Sequence, residues 1–228
     1  MRGGQFTRED EVEPTFLATQ NTSTEPRTRT ALPHQPLAMD PQAIGARELD
    51  ERLKHAVEMN GFRVLGVTAE KARDVALALE QALGAELCAL DVELAREVEL
   101  QMRRANIKSD DVVHAADREG PTGAHWPKLL KLVHAAANEL VARLVQTKKP
   151  LLLVQPGPLA RYGLTEALAK LVEAAQDRES PAMFLLVPMH DSHGVPRIEG
   201  TMTIPGALPG QSMWITSAWL KNRHNAAA

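Results

Sequence analysis

Four residues, Leu151-Leu152-Leu153-Val154, constrain this chain more than any other stretch. Pro150 stands directly before them and Gln155-Pro156-Gly157-Pro158, a rigid turn, directly after. A run that is apolar at every position has no wet face. It reads as a strand buried on both sides, the mark of a parallel sheet covered by helices above and below. Ala182-Met183-Phe184-Leu185-Leu186-Val187 repeats the pattern, and Phe62-Arg63-Val64-Leu65-Gly66-Val67 comes close to it. A shorter strand is expected over Glu86 to Asp91, a weak one around Met202 to Ile204, and another over Ser212 to Thr216.

Between these runs the period changes from two to about three and a half. Asp40-Pro41 is a helix start, with Ile44, Leu49, Leu53 and Val57 on one stripe and Asn60-Gly61 closing it. Thr68 is expected to cap a helix from Ala69 to Leu83, which Gly84 ends. Leu94 to Ala105 and Thr165 to Gln176 are amphipathic. Trp126-Pro127 opens the clearest helix, expected to end at Lys148-Lys149. Residues 106 to 124 are polar and contain Gly120, Pro121 and Gly123, and read as a loop around a short helical turn. The expected order is α, β, α, β, α, α, β, α, β, β, β. That alternation predicts an α/β fold: a largely parallel sheet with helices on both faces, a three-layer P-loop- or Rossmann-like architecture. Residues 1–39 lack an apolar period, and Pro14, Pro26, Pro33 and Pro36 interrupt any helix, so they read as a disordered arm or linker. A single α/β domain is expected over 40–222 and a frayed tail over 223–228.

Composition narrows the class. Of 228 residues, 44% are apolar and 24% charged, with a net charge of −3. That balance does not indicate nucleic acid as the main ligand. The lone cysteine, Cys88, lies in an apolar run and reads as a buried small hydrophobe; it cannot form an intramolecular disulfide or a cysteine-based zinc site. Met1 to Phe16 has no signal-peptide core, and no apolar run approaches the length of about 18 residues that a membrane helix needs. The expectation is a cytoplasmic, soluble protein with no membrane partner.

In a parallel α/β sheet, ligands bind beyond the carboxyl ends of the strands. After the first strand, Gly66-Val67-Thr68-Ala69-Glu70-Lys71 has one glycine and no Gly-Lys-Ser/Thr, so a phosphate loop is missing, and so is a dinucleotide fingerprint. Thr68 and Lys71 at a helix start could still attract an anion, against the alternative of an ordinary helix with a solvated lysine. After the third strand, Gln155 occupies the place where a magnesium-binding acid belongs. The nucleotide motifs are degenerate. After the fourth strand, His190-Asp191-Ser192-His193 has metal-ligand spacing, with Asp91 or Glu199 as a further ligand, against the alternative of a polar loop with exposed histidines. Gly157-Pro158-Leu159-Ala160-Arg161-Tyr162-Gly163 holds the only tyrosine beside an arginine. Arg161 suits a phosphate or a partner's carboxylate, against a structural turn in which Tyr162 packs and Arg161 pairs with a local acid. Trp214 and Trp219 fit an interface or the core, the core being preferred.

The strings LLLVQPGPLARYG, AMFLLVPMHD, PRIEGTMTIPG and SMWITSAWLKN resemble the C-terminal region of the very large serine/threonine kinase of bacteriophage-exclusion (BREX, phage growth limitation) systems. The resemblance extends back to ARELDERLKHAVEMNGFRVLGVT and so covers residues 46–222. The giant ATPase of the same systems is a weaker match. A protein kinase needs a glycine-rich loop, a Val-Ala-Ile-Lys strand, His-Arg-Asp and Asp-Phe-Gly, and the chain has none of them. What the resemblance implies is a phage-defence module, ATPase-like in fold, that works with a larger defence protein or a split gene product.

Three functions fit these residues. The first is a non-catalytic assembly or regulatory module with no cofactor, recognising its partner near Arg161, Tyr162 or the C-terminal tryptophans. The second is a hydrolase using a divalent metal on His190, Asp191 and His193. The third is a sensor that binds ATP without hydrolysis through Thr68 to Lys71.

Overall fold

The computed structural model describes residues 41–227 apart from 178, 191, 193, 207 and 208. The expected arm over 1–39 lies outside the described residues. Among the described residues seven strands are formed: β1 (Phe62–Thr68), β2 (Glu86–Ala89), β3 (Leu151–Val154), β4 (Met183–Met189), β5 (Arg197–Ile198), β6 (Met202–Thr203) and β7 (Ser212–Trp214). Five of them make one sheet in the order β2-β3-β4-β1-β7, and β5 and β6 make a small antiparallel hairpin. All four pairings of the large sheet are parallel, with Val64 of β1 registered against Leu185 of β4 on one side and Ser212 of β7 on the other.

The fully apolar runs behave as their composition demands. Successive side chains of a strand point to opposite faces, so each run supplies two cores at once. Leu151 and Leu153 enter one core, and Leu152 and Val154 the other. On β4, Met183, Leu185 and Val187 face the first core, while Phe184 and Leu186 face the second. Leu151, Leu152 and Leu153 are each at most 1% exposed, and burial at that level is worth about 1.5–3 kcal/mol per side chain.

Eight helices surround the sheet among the described residues. α1 (Pro41–Glu58), α2 (Ala72–Leu83) and α8 (Ser217–Ala227) cover the second core. α3 (Leu90–Arg104), α4 (Asp110–Glu119), α5 (Trp126–Leu144), α6 (Gly157–Arg161) and α7 (Thr165–Ala174) cover the first. The split follows from handedness. The chain crosses from β1 to the far edge strand β2 through α2, then steps back through β3 and β4 by helices on the other face. Right-handed crossovers taken in opposite directions must use opposite faces. None of the described helices is long and apolar enough to cross a membrane.

Several elements differ from the sequence expectation. β2 stops at Ala89, because Leu90 already begins α3. Asp91 therefore sits in a helix's first turn, where a carboxylate suits the helix dipole, and not at a strand end. Residues 110–119 are a full helix where a loop was expected. Ser109 caps it by accepting the Asp111 amide, and its apolar residues, Val112, Val113, Ala115 and Ala116, fill about one turn between charged ends, with only Ala116 fully buried. A 3-10 turn over Ala69–Lys71 precedes α2, and the Thr68 hydroxyl makes no cap hydrogen bond. α5 ends at Leu144, short of Lys148 and Lys149. Gly157–Arg161 winds into a short helix where a turn was expected. α8 was not expected, and the segment read as a tail from residue 223 is placed in it as far as Ala227.

Candidate functional site

In this sheet β1 lies between β4 and β7. The chain leaves β1 toward one edge and returns beyond it at β7, so its connections part around β1. A crevice opens at the carboxyl ends of strands at such a switch point. A cavity of about 670 Å³ lies there, between Ala69 after β1, Pro156 after β3, Pro188 to His190 at the end of β4, and Arg197 and Glu199 of the hairpin. That volume is in the range of small-molecule sites.

Two backbone features mark this crevice. Gln155 and Glu199 hold φ at 55° and 51°. Asn60 and Asn106 share that left-handed conformation, but Asn tolerates it. Gln and Glu do not gain in the same way, and such outliers persist where the surrounding structure over-determines them, often at functional sites. Glu199 folds over the start of α6: a Cβ added to Gly157 would lie 3.1 Å from its Oε1.

The sequence candidates distribute unevenly. Lys71 donates a hydrogen bond to the Ser217 hydroxyl, which joins the starts of α2 and α8. Gln155 ends β3 exposed and neutral, so no carboxylate stands there to hold magnesium. His190 and Glu199 line the crevice together, whereas Asp91 lines a separate cleft beside α3. Asp191 and His193 lie outside the described residues, and among the described residues no three potential metal ligands cluster.

Arg161 and Tyr162 meet on Asp117, the residue that sequence reasoning missed. The Asp117 carboxylate accepts from Arg161 Nε at 3.0 Å and from the Tyr162 hydroxyl at 2.9 Å. Arg161 Nη2 also donates to the Asp117 carbonyl at 3.1 Å. The acid is thus 44 positions away in sequence, on α4, and not a local one. Burial pushes the Asp117 carboxyl up, but the hydrogen bonds from Arg161 and Tyr162 outweigh it and hold it below its ordinary value. The Asp117 hydrogen bond keeps Arg161 above its own ordinary value. Burial, and then the hydrogen bond to Asp117, raise the Tyr162 phenol. The Tyr162 ring stacks on Trp126 with centroids 5.8 Å apart, and the Arg161 guanidinium lies 5.8 Å from the Tyr162 centroid. The only sequence signal for Asp117 was the Ser-Asp-Asp helix start at Ser109.

The C-terminal tryptophans divide. Trp219 is 1% exposed in the second core, and its indole N–H donates to Asp50, which also holds Arg223. Trp214 is half-buried on the edge strand β7, against Gly66. Cys88 is buried; burial first, and then the Glu93 carboxylate, push its thiol up to about 11.

No family profile and no solved structure matches the chain. It is similar to a protein described as Probable kinase PglW from Streptomyces coelicolor, 26% identical over 230 residues. The match takes in 97% of this chain and 14% of that protein, so the chain spans a small part of the relative's length. The resemblance carried by residues 46–222 is borne out on these terms: the chain is similar, nearly from end to end, to one region of this much larger probable kinase.

Proposed function

We propose that this chain is a non-catalytic assembly or regulatory module of a bacterial phage-defence system, acting in the cytoplasm with a larger defence protein. One observation carries the reading: 97% of the chain is similar to only 14% of a probable kinase, and the chain has none of the motifs that perform phosphoryl transfer. A portion of a kinase that lacks the kinase's chemistry has recognition or positioning left to contribute, since function resides in sites and not in the fold. Arg161 and Tyr162 are the residues we assign to partner contact. Arg161 has half of its side chain in water, and Asp117 holds it in one orientation. The test is a plating assay in a host that depends on the system. Removing the coding segment should restore phage plating, and supplying the chain should suppress it again, while the purified chain transfers no phosphate from ATP. Unchanged resistance after removal, or phosphotransfer by the purified chain, would refute the reading.

The crevice, lined by Ala69 after β1 and by the left-handed Glu199, favours a second reading, a sensor that binds ATP without hydrolysing it through the neighbouring Thr68 to Lys71. A ligand present at a hundredfold excess over its Kd stabilises the folded state by about 2.7 kcal/mol. For a domain of this size that raises Tm by roughly 5–10 °C. A thermal shift of this size with ATP, lost in Lys71→Ala, supports the sensor; no shift at millimolar ATP sinks it.

A further inference from the structure

α3 and α4 both pack against α5, and a cleft of about 270 Å³ stays open between them. Its floor is apolar: Leu94, Val98 and Met102 from α3, and Leu129 and Val133 from α5. Its lips are acidic, with Asp91 and Glu99 on the α3 side and Asp110 and Asp117 on the α4 side. No Lys or Arg lines it among the described residues, and His114 is its one basic group, although from outside it Arg161 pairs with Asp117 and Arg103 with Glu99. Ala95 stands exposed at the mouth, and Val92, one turn earlier on α3, is 58% exposed. The cleft is separate from the crevice at the strand ends, and Tyr162 forms part of its wall.

We propose that this cleft docks an amphipathic helix of a partner protein, one whose apolar stripe is flanked by Lys and Arg. The inference rests on the reading of the chain as an assembly module and names the surface and the chemistry that reading leaves open. A cavity of about 150 Å³ holds one benzene-sized group, so 270 Å³ admits about two apolar side chains. Two anchors at a spacing of three or four residues are what one face of a helix presents to a groove. The carboxylates on both lips select the charge of the flanks, Asp91 and Asp110 most, because Asp117 and Glu99 are already paired with Arg161 and Arg103. They attract Lys and Arg on either side of the stripe and repel nucleic acid or an acidic helix. Met102 on the floor adapts its shape to differing apolar anchors.

The test uses the full chain labelled with 15N and a synthetic helical peptide of about 18 residues, with Leu on one face and Lys elsewhere. A second peptide carries Glu in place of every Lys. The Lys peptide should give saturable shift changes confined to the cleft-lining residues of α3, α4 and α5 and to Tyr162, and the Glu peptide none. Doubling the salt should weaken binding, and Glu99→Lys with Asp110→Lys should weaken it by about tenfold or more. Ala95→Trp fills the mouth from an exposed position and should abolish binding without changing the helical spectrum. Shifts scattered over the surface, equal binding of the Glu peptide, or undiminished binding by Ala95→Trp would each overturn the proposal. So would equal binding of a duplex oligonucleotide at the cleft. Loss of peptide binding alongside intact complementation in the plating assay removes this docking site alone. The reverse result removes the defence reading alone.

Discussion

Replacing Asp117 by Ala tests how α4 is held, because one carboxylate joins that helix to the end of α6. The Tyr162 hydroxyl reaches it at 2.9 Å from a half-buried ring, and such a bond contributes about 1 kcal/mol. The Arg161 contact, at 3.0 Å, has half of the arginine side chain in water, so solvent screening reduces it to about 0.2–1 kcal/mol. Arg161 keeps its bond to the residue 117 carbonyl in the variant, which limits the loss further. Together these give about 1–2 kcal/mol, or a fall in Tm of roughly 2–8 °C for a domain of this size. Tyr162→Phe should lose about 1 kcal/mol. The double variant should lose less than the sum, with a coupling of about 0.5–1 kcal/mol. Acid supplies a second check. The Asp117 carboxyl is depressed, so its stabilisation is complete above the unfolded value of about 3.9 and disappears as pH falls through the lower folded value. The stability gap between the native protein and Asp117→Asn should therefore be present at pH 7 and shrink below about pH 4. Urea titrations of the five proteins at pH 7 and below about pH 4 measure all of this. Strict additivity of Asp117→Ala and Tyr162→Phe, or a gap that does not change with pH, would refute the convergence of Arg161 and Tyr162 on one carboxylate.

Three further outcomes follow from single positions. With its thiol raised from 9.0 to about 11, native Cys88 carries roughly a hundredfold less thiolate at pH 8 than a free thiol. A disulfide reagent should react with it only after unfolding; rapid labelling of the native protein would mean that the β2 face is open. A Cβ on Gly66 would sit 2.9 Å from both Met189 Sδ and the Trp214 ring; the methionine can swing away but the indole cannot. Gly66→Ala should lose about 1–3 kcal/mol, read as a lower urea midpoint at unchanged slope. At Gln155, φ is 55°, so Gln155→Gly should stay within about 0.5 kcal/mol of the native stability, strain relief offsetting the entropy of glycine. Gln155→Val should lose more than about 1 kcal/mol, and equal stability of these two variants would show that the left-handed turn is not enforced.

The sheet was legible because its strands are apolar on both faces. Leu151 to Val154 and Ala182 to Val187 leave no position for water, and a continuous run of that kind has one home, the middle of a covered parallel sheet. The order of strands was not legible. It depends on which edges meet, and nothing in the composition of β1 says that it lies between β4 and β7. α4 and α8 escaped for a different reason. α4 is amphipathic but short, with its apolar residues Val112, Val113, Ala115 and Ala116 confined to about one turn, and α8 is weakly amphipathic, so neither displays an apolar period long enough for helix recognition to rest on. The start of α4 was written in Ser109, Asp110 and Asp111, a cap and two first-turn acids, but a start signal followed by a stripe of only one turn reads as a turn.

The sites follow the same physics with a harsher result. Sequence reasoning singled out Arg161 and Tyr162 because an unusual pair stood between two glycines directly after a buried strand. It missed Asp117, whose meaning lies entirely in a neighbour 44 positions away. The acidic lips of the α3–α4 cleft are of the same kind. Asp91 was inspected as a strand-end acid near a metal, yet it faces Asp110 and Asp117 across a groove because Leu90 had already turned the chain into helix. Periodicity locates what a residue is buried against within its own element. Recognition surfaces are made between elements, where two helices lean on a third and leave a gap. That is why a chain whose layers can be read from its strands shows its clefts only when the helices are in place.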